Sequence, residues 1–390
     1  MRQIKVLHII TRLANGGADE NTLYTIKGLD PSIYDIDLMT GEENNPEMMA
    51  NLNLPDSIKL YKIKGLLRDI SPYNDISACY RMYKIIKSNN YDIVHTHIAK
   101  AGVLGRLAAK MAGVPIIIHG IHGTTFPETI HPVKQFLFKS VERICGNFTD
   151  YFIPVGEDMK QKYLKAGIGD VSRCQTVYSG MELDKFINAA NYSHQEVLKI
   201  RRSLGISDDS IVIGNVSKIQ ERKGFKYYLR LAQSIIKKYD NVDFMIVGSG
   251  PDEENIREMC ENMGLSDRVI FTGHRTDVED MFACFDIKVL TSLWEGLPRV
   301  LVQAAAVGKP IVTFDVDGAW EIVEEGKNGY VVPMKDIDAM ASRIECLIDD
   351  KDLRTRMGVY SRQKVSNLWS VDHMVSDIDN IYNKLYNDLK

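Results

Sequence analysis

The sequence has no run of 18 apolar residues, no two cysteines in C-x-x-C spacing, no excess of positive charge and no Gly-x-Gly-x-x-Gly. The first absence excludes a membrane-spanning helix. The second argues against a disulfide scaffold and a thiolate zinc site; Cys79, Cys145, Cys174, Cys260, Cys284 and Cys346 instead fit reduced, mostly buried thiols of a cytosolic protein. A formal net charge of −4 gives no general pull toward nucleic acid. Without the glycine fingerprint, a nicotinamide enzyme is the weakest reading. The N-terminal MRQIKVLHIITRL is interrupted by His8 and lacks a small-residue cleavage site, so it reads as a first strand rather than a signal peptide. No internal repeat or low-complexity segment is evident.

What is present is a regular alternation of β-branched runs and longer helical patterns, the mark of parallel sheets covered on both faces. In the first half the strands are 4–10, 34–40, 91–97, 114–122 and 151–156, with helices such as Asp75–Asn89 and Lys100–Ala112 between them. In the latter helix Ala101, Gly102, Gly105, Ala108 and Ala109 allow close approach to a sheet. The pattern restarts at 211–217, 242–248, 268–273, 287–292 and 309–314. A chain of 390 residues is comfortable as two cores, so the expected fold is α/β with two Rossmann-like, doubly wound domains and a cleft between them. The boundary is read near VYSGMELDKF (177–186), where a strand would end in a glycine turn, giving domains 1–186 and 187–367. The last helix, Asp372–Leu389, can pack on either.

Charge is uneven. Residues 1–186 carry 22 Lys and Arg against 20 Asp and Glu, and the remainder 26 against 32. Lys59, Lys62, Lys64, Arg68, Arg81, Lys84 and Lys87 lie in one segment opposed only by Asp56, Asp69 and Asp75. This is either a solvated face or a surface for anionic lipid headgroups.

Four places can carry chemistry. The first strand runs into Asn15-Gly16-Gly17-Ala18 at a helix start, where bare N–H groups suit an anion, although a structural turn would use the same glycines. His95 and His97 end one strand and His119 and His122 the next. Alternation prevents all four from entering one pocket, and without an acidic partner no metal site is expected. His122, beside Gly123, is the choice for the cleft, its imidazole donating to a sugar hydroxyl or its carbonyl positioning the sugar. In VSKIQERKG (216–224), Lys218 and Lys223 are the pair to meet a diphosphate, with Arg222 a competitor. In Glu295-Gly296-Leu297-Pro298, before a helix Arg299–Val307, the carboxylate can accept from sugar hydroxyls and the helix N–H groups can bind phosphate; helix capping would explain the turn without chemistry. Gln303 lies two turns on. Asp315 and Asp317 read as loop-ordering residues rather than a metal bridge, with Glu321 beyond them.

Taken in order, these segments resemble the retaining glycosyltransferases of family four, with GT-B architecture, over nearly the whole chain. The resemblance rests on Gly16-Gly17, HTHIAKAGVLGRLAAKMAGVP (95–115), IHG (121–123), VYSGMELDKF, VSKIQERKG, IVGSGP (246–251), EGLPRVLVQAAAVGKPIV (295–312) and EIVEEGKNGYVVP (321–333). Residues 95–123 look like enzymes building bacterial capsule, exopolysaccharide or O-antigen. The family implies that Glu295 opens an E-x7-E motif contacting the donor sugar, with Gly296 and Leu297 beside it. The ribose-binding acid falls on Gln303, and the Arg/Lys diphosphate pair on Lys218 and Lys223. His122 matches the histidine near the anomeric carbon, Gly16 and Gly17 the loop beside the phosphates, and 368–390 a helix returning to the N-terminal domain. It further implies a nucleotide-sugar donor, with UDP-sugar foremost, and no other cofactor. The implied acceptor is a glycan or polyprenyl-diphosphate carrier, reached from the cytoplasm at the inner membrane face. Transfer would retain configuration without a protein nucleophile, the leaving diphosphate helping to take the acceptor proton. A nucleotide-sugar epimerase of related fold and a non-catalytic nucleotide-sugar-binding protein are the alternatives.

Overall fold

The computed structural model describes residues 2–14, 16–127, 130–365 and 367–389. They form two compact units, Met1–Met181 with Leu368–Lys390, and Glu182–Asn367. The first is a parallel sheet of β1 (Ile4–Ile10), β2 (Tyr34–Thr40), β3 (Leu60–Lys62), β4 (Ile93–His97), β5 (Ile116–Ile121) and β6 (Tyr151–Pro154), in the order β3-β2-β1-β4-β5-β6. The second comprises β7 (Ile211–Val216), β8 (Val242–Val247), β9 (Val269–Gly273), β10 (Ile287–Leu290), β11 (Ile311–Phe314) and β12 (Gly329–Val332), in the order β12-β11-β10-β7-β8-β9. The two orders are the same, read from opposite edges. In each, connections leave in opposite directions beside the first strand, between β1 and β4 and between β7 and β10. The crevice at such a reversal, beyond the C-terminal strand ends, is where α/β sheets take ligands.

Apolar residues on both faces of β1 explain the two-sided cover. Val6 and Ile10 join a cluster with Met374, Ile378 and Ile381 of helix Val371–Asn387. Leu7 and Ile9 join the opposite cluster with Ala101, Ala108 and Ala109 of helix Ala99–Ala112. That helix lies close because its facing residues are small: a Cβ at Gly102 would sit 2.5 Å from Cε1 of His119. Its Arg106 is wholly buried and pairs with Glu142 at 2.7 Å.

Three features differ from expectation. The short edge strands β3 and β12 have no counterpart in the strands that the sequence pattern predicts. Residues 177–180 form no strand. The chain there follows the edge of β6, with Val177 N–H donating to Pro154 O at 3.0 Å, then turns so that Met181 N–H meets Trp369 O at 2.9 Å. Phe186, read as the last residue of the first domain, packs edge-on against Phe282, inside the unit that begins at Glu182.

Candidate active site

In the first unit, β1 leads to helix Gly17–Gly28, and Asn15 lies outside the described residues. Gly16 has an extended backbone (φ −126°) open to any residue. The turn is held instead by Asp19, missed in the sequence, whose Oδ2 accepts from Ala14 N–H at 2.7 Å and Gly16 N–H at 3.0 Å. Burial raises the Asp19 carboxyl, and these backbone bonds oppose the rise.

The four histidines divide by strand parity. His95 and His97 project from one face of β4, where His8 of β1 pairs in register with His95. His97 Nδ1 lies 2.9 Å from Nε2 of His122, and His97 Nε2 lies 3.0 Å from Nδ1 of His8. His119 points to the other face, with its Nδ1 3.0 Å from the Thr96 hydroxyl and its ring edge-on to Phe152. Thus three of the four predicted histidines come together, joined by His8, which the sequence did not single out.

The second unit brings two loops together. After β7 the chain makes a single turn, Glu221–Lys223, that ends at Gly224, where φ is +65° and a Cβ would lie 2.1 Å from Thr291 O. Only glycine fits that left-handed close approach to the end of β10. The loops are then fastened by Leu293 N–H to Arg222 O at 2.8 Å and the Thr291 hydroxyl to Lys223 O at 3.1 Å. This sets Lys223 Nζ 2.5 Å from Oε1 of Glu295 and Arg222 Nη1 3.1 Å from Oε2. Burial alone would raise the Glu295 carboxyl, but Lys223 and then Arg222 hold it below the usual carboxylate range.

Lys218 is exposed on a loop whose Ile219 N–H donates to Ser249 O at 2.9 Å. The structure gathers Lys223 and Arg222 around one carboxylate. Beneath them Lys288 is fully buried on β10, its Nζ 3.3 Å from Asn215 Oδ1. Burial first, and Lys223 second, depress its ammonium well below the ordinary range. Gly296 and Leu297 lead into helix Arg299–Ala306, which carries half-buried Gln303. Asp315 accepts from the Trp320 indole at 2.9 Å, a loop-ordering bond.

Among the described residues one group, His8, His95 and His97, brings ring nitrogens within 4.8 Å of one another. No helix among them is long and apolar enough to cross a membrane.

Two parallel, doubly wound units with polar loops at both strand-order reversals define the GT-B glycosyltransferase fold. Residues 15–185 match the family model for glycosyltransferase family 4, and residues 196–364 that for glycosyl transferases group 1. The chain belongs to this family and transfers a sugar from a nucleotide sugar to an acceptor. It is 29 % identical over 384 residues, 97 % of each chain, to the UDP-Gal:α-D-GlcNAc-diphosphoundecaprenol α-1,3-galactosyltransferase of Escherichia coli. It is 26 % identical over 322 residues to the capsular polysaccharide biosynthesis glycosyltransferase CapM of Staphylococcus aureus, covering 81 % of this chain and 83 % of that one. Anabaena HepE, solved with UDP-glucose, superposes with a TM-score of 0.81 over 98 % of this chain and 100 % of its own, at 20 % identity.

Proposed function

We propose that the protein is a retaining glycosyltransferase that moves a hexose or N-acetylhexosamine from a UDP-sugar to a polyprenyl-diphosphate-linked glycan in bacterial surface polysaccharide synthesis. The observation that carries this reading is Glu295, a buried carboxylate kept ionised by two cations at the strand-order reversal of the second unit. A sugar hydroxyl donating to it gains a charge-assisted bond. Lys218 and Lys223, with the N–H groups that open helix Arg299–Ala306, would take the diphosphate, and Gln303 the ribose. Gly16, Gly17 and His122 would serve the phosphates and the sugar from the first unit. The E. coli relative uses UDP-Gal and an undecaprenol-linked acceptor, and HepE was solved with UDP-glucose, which supports the donor and acceptor classes. Incubation with a panel of nucleotide sugars and lipid-linked acceptors, with products read by mass and anomeric NMR, tests the reading; a product of inverted configuration overturns the retaining mechanism.

Charge on the departing diphosphate grows in the transition state, so a lysine bound to it acts on kcat as well as on binding. Lys223→Ala is expected to lower kcat by about 100-fold or more with the donor KM moved little. An unchanged kcat with only a raised KM would remove Lys223 from that role.

The membrane surface belongs to the same proposal. Lys59, Lys62, Lys64, Arg68, Arg81, Lys84 and Lys87 are all exposed. Helix Pro72–Asn89 interleaves Arg81 and Lys84 with an apolar stripe of Tyr73, Ile76 and Tyr80, which are 85 %, 73 % and 53 % exposed. Aromatic and aliphatic side chains beside lysines suit the headgroup boundary of an anionic bilayer. Sedimentation with vesicles rich in anionic lipid is expected to carry the protein down at low salt, and Tyr73→Ser with Ile76→Ser to release most of it. Equal binding to neutral vesicles, or none to either, counts against this surface.

A further inference from the structure

Lys288 stands in β10 among Ile287, Val289 and Leu290, and all four are fully buried. Its Nζ lies 3.3 Å from Oδ1 of Asn215 in β7 and 5.8 Å from the centre of the Phe282 ring. Among the described residues no carboxylate comes within ion-pair distance of it. An amine taken out of water for one hydrogen bond forfeits most of its hydration, so an apolar side chain would fill this place at lower cost. With no exposed surface, Lys288 cannot act as a nucleophile. Its use lies in what it bonds.

Asn215 and Thr291, both fully buried, carry that bond onward. The Thr291 hydroxyl lies 3.1 Å from Lys223 O, a carbonyl that can only accept, so the hydroxyl proton goes there. Toward Asn215 the Thr291 oxygen is then an acceptor, and the amide end that faces it, 3.5 Å away, is Nδ2. This leaves Oδ1 of Asn215 for two donors, Lys288 and the Ser217 hydroxyl, each 3.3 Å from it. The orientation follows from the carbonyl at the far end and holds whether Lys288 is an ammonium or an amine.

Lys223 O belongs to the single turn Glu221–Lys223, which is closed by Lys223 N–H to Gln220 O at 2.8 Å and Gly224 N–H to Glu221 O at 3.0 Å. Fixing that carbonyl fixes the direction in which the Lys223 side chain leaves the turn. We propose that Lys288 is a positioning residue: through Asn215 and Thr291 it fixes the Lys223 carbonyl, and so keeps the Lys223 ammonium on Glu295 where the donor diphosphate arrives. This rests on the reading that Lys223 and Glu295 meet the donor. Plain packing is the competing use, and a side chain of similar length without the amine would serve that equally well.

Lys288→Met keeps most of the length and removes the donor. Its melting temperature is expected at or above that of the unaltered protein, since a buried amine is lost and Asn215 keeps its bond from Ser217. The amides of Lys223, Gly224 and Leu293, which close the turn and tie it to the next loop, should exchange with deuterium about tenfold faster, while those of β7 and β8 hold their rates. In the same variant kcat should fall about tenfold with the donor KM within about twofold, and the substitution should cost nothing further in a Lys223→Ala background. Thr291→Val cuts the chain one link on; it should give the same exchange pattern and decides the matter if Lys288→Met does not fold.

Unchanged exchange at the turn in either folded variant overturns the proposal. So does full kcat in Lys288→Met where Lys223→Ala is impaired, or a tenfold loss that persists in the Lys223→Ala background. A lowered melting temperature with exchange raised evenly across the second unit would make Lys288 a packing residue and overturn it as well. If Lys223→Ala itself keeps full kcat, the placement of Lys223 at the diphosphate falls, while the exchange rates still decide whether Lys288 holds the turn.

Discussion

Between pH 7 and pH 5 the first unit is expected to lose most of its stability. His8, His95, His97 and His119 are each at most 3 % exposed, and burial lowers all four, His8 to about 3 and the others well below their ordinary value. The unfolded chain takes up protons on the same rings near pH 6.5. Below that pH the unfolded state binds more protons than the folded one. Stability is therefore complete above pH 6.5 and is lost as pH falls toward the folded values. Each ring that stays neutral to pH 5 costs about 2 kcal/mol over this interval, and four together cost roughly 7–8 kcal/mol. A domain has about 5–15 kcal/mol in total.

Urea titrations at stepped pH measure this directly. Trp369 lies in the first unit and is buried, whereas Trp294 and Trp320 lie in the second, so variants keeping one tryptophan separate the two transitions. The midpoint reported by Trp369 should fall steeply between pH 6.5 and 5, and His119→Asn should make that slope shallower by about one proton. Uptake of fewer than two protons on unfolding near pH 5.5 would mean that these rings are not held neutral.

His119 and its neighbours also mark how far the sequence could be read. Parallel strands buried on both faces announce themselves as apolar runs, so Ile4–Ile10 and Tyr34–Thr40 have the bounds read from the sequence. Helix Ala99–Ala112 was legible because only small residues can approach His119 as Gly102 does. β3 and β12 were not, since three or four residues at a sheet edge carry too little periodicity. VYSG resembles a strand because its β-branched and aromatic residues suit one, while Val177 bonds to the β6 edge and the next residue after the segment, Met181, to Trp369.

For the candidate site, local sequence singled out the loops but not the contacts that join them. Glu295, Lys223 and His122 were chosen from strand ends and glycine turns. That Arg222 shares the carboxylate depends on the single turn at Glu221–Lys223, which sends two adjacent side chains to one acceptor. His8 was passed over as an interruption in an apolar strand, because its contact with His97 arises only when β1 pairs beside β4. Tyr382, whose hydroxyl lies 2.7 Å from Nδ1 of His95, is 287 residues from it in the chain, and no periodicity links them. Lys288 was invisible for the opposite reason: a lysine inside IKVLTS reads as an outward side chain, yet it is fully buried.

The buried lysine makes Glu295 the position where the largest loss of activity is expected. Glu295→Ala removes the proposed sugar contact and the counter-charge of Lys223 together. Lys223 would then stand without its anion near Lys288, whose ammonium already responds to both Lys223 and Glu295. Breaking a buried ion pair from one side costs about 3–5 kcal/mol, roughly a 10 °C fall in the melting temperature of the second unit. Activity should fall about 1000-fold in kcat/KM, the scale of a lost charge-assisted transition-state contact. Structural and chemical losses separate in a second variant. Glu295→Gln with Lys223→Met removes both charges while keeping their volumes, and replacing both partners of a buried pair is often neutral for stability. The double variant is expected to melt within a few degrees of the unaltered protein and to stay at or below the activity of Glu295→Ala. If activity returned along with the melting temperature, the carboxylate would be an anchor for the two loops and not a contact to the sugar.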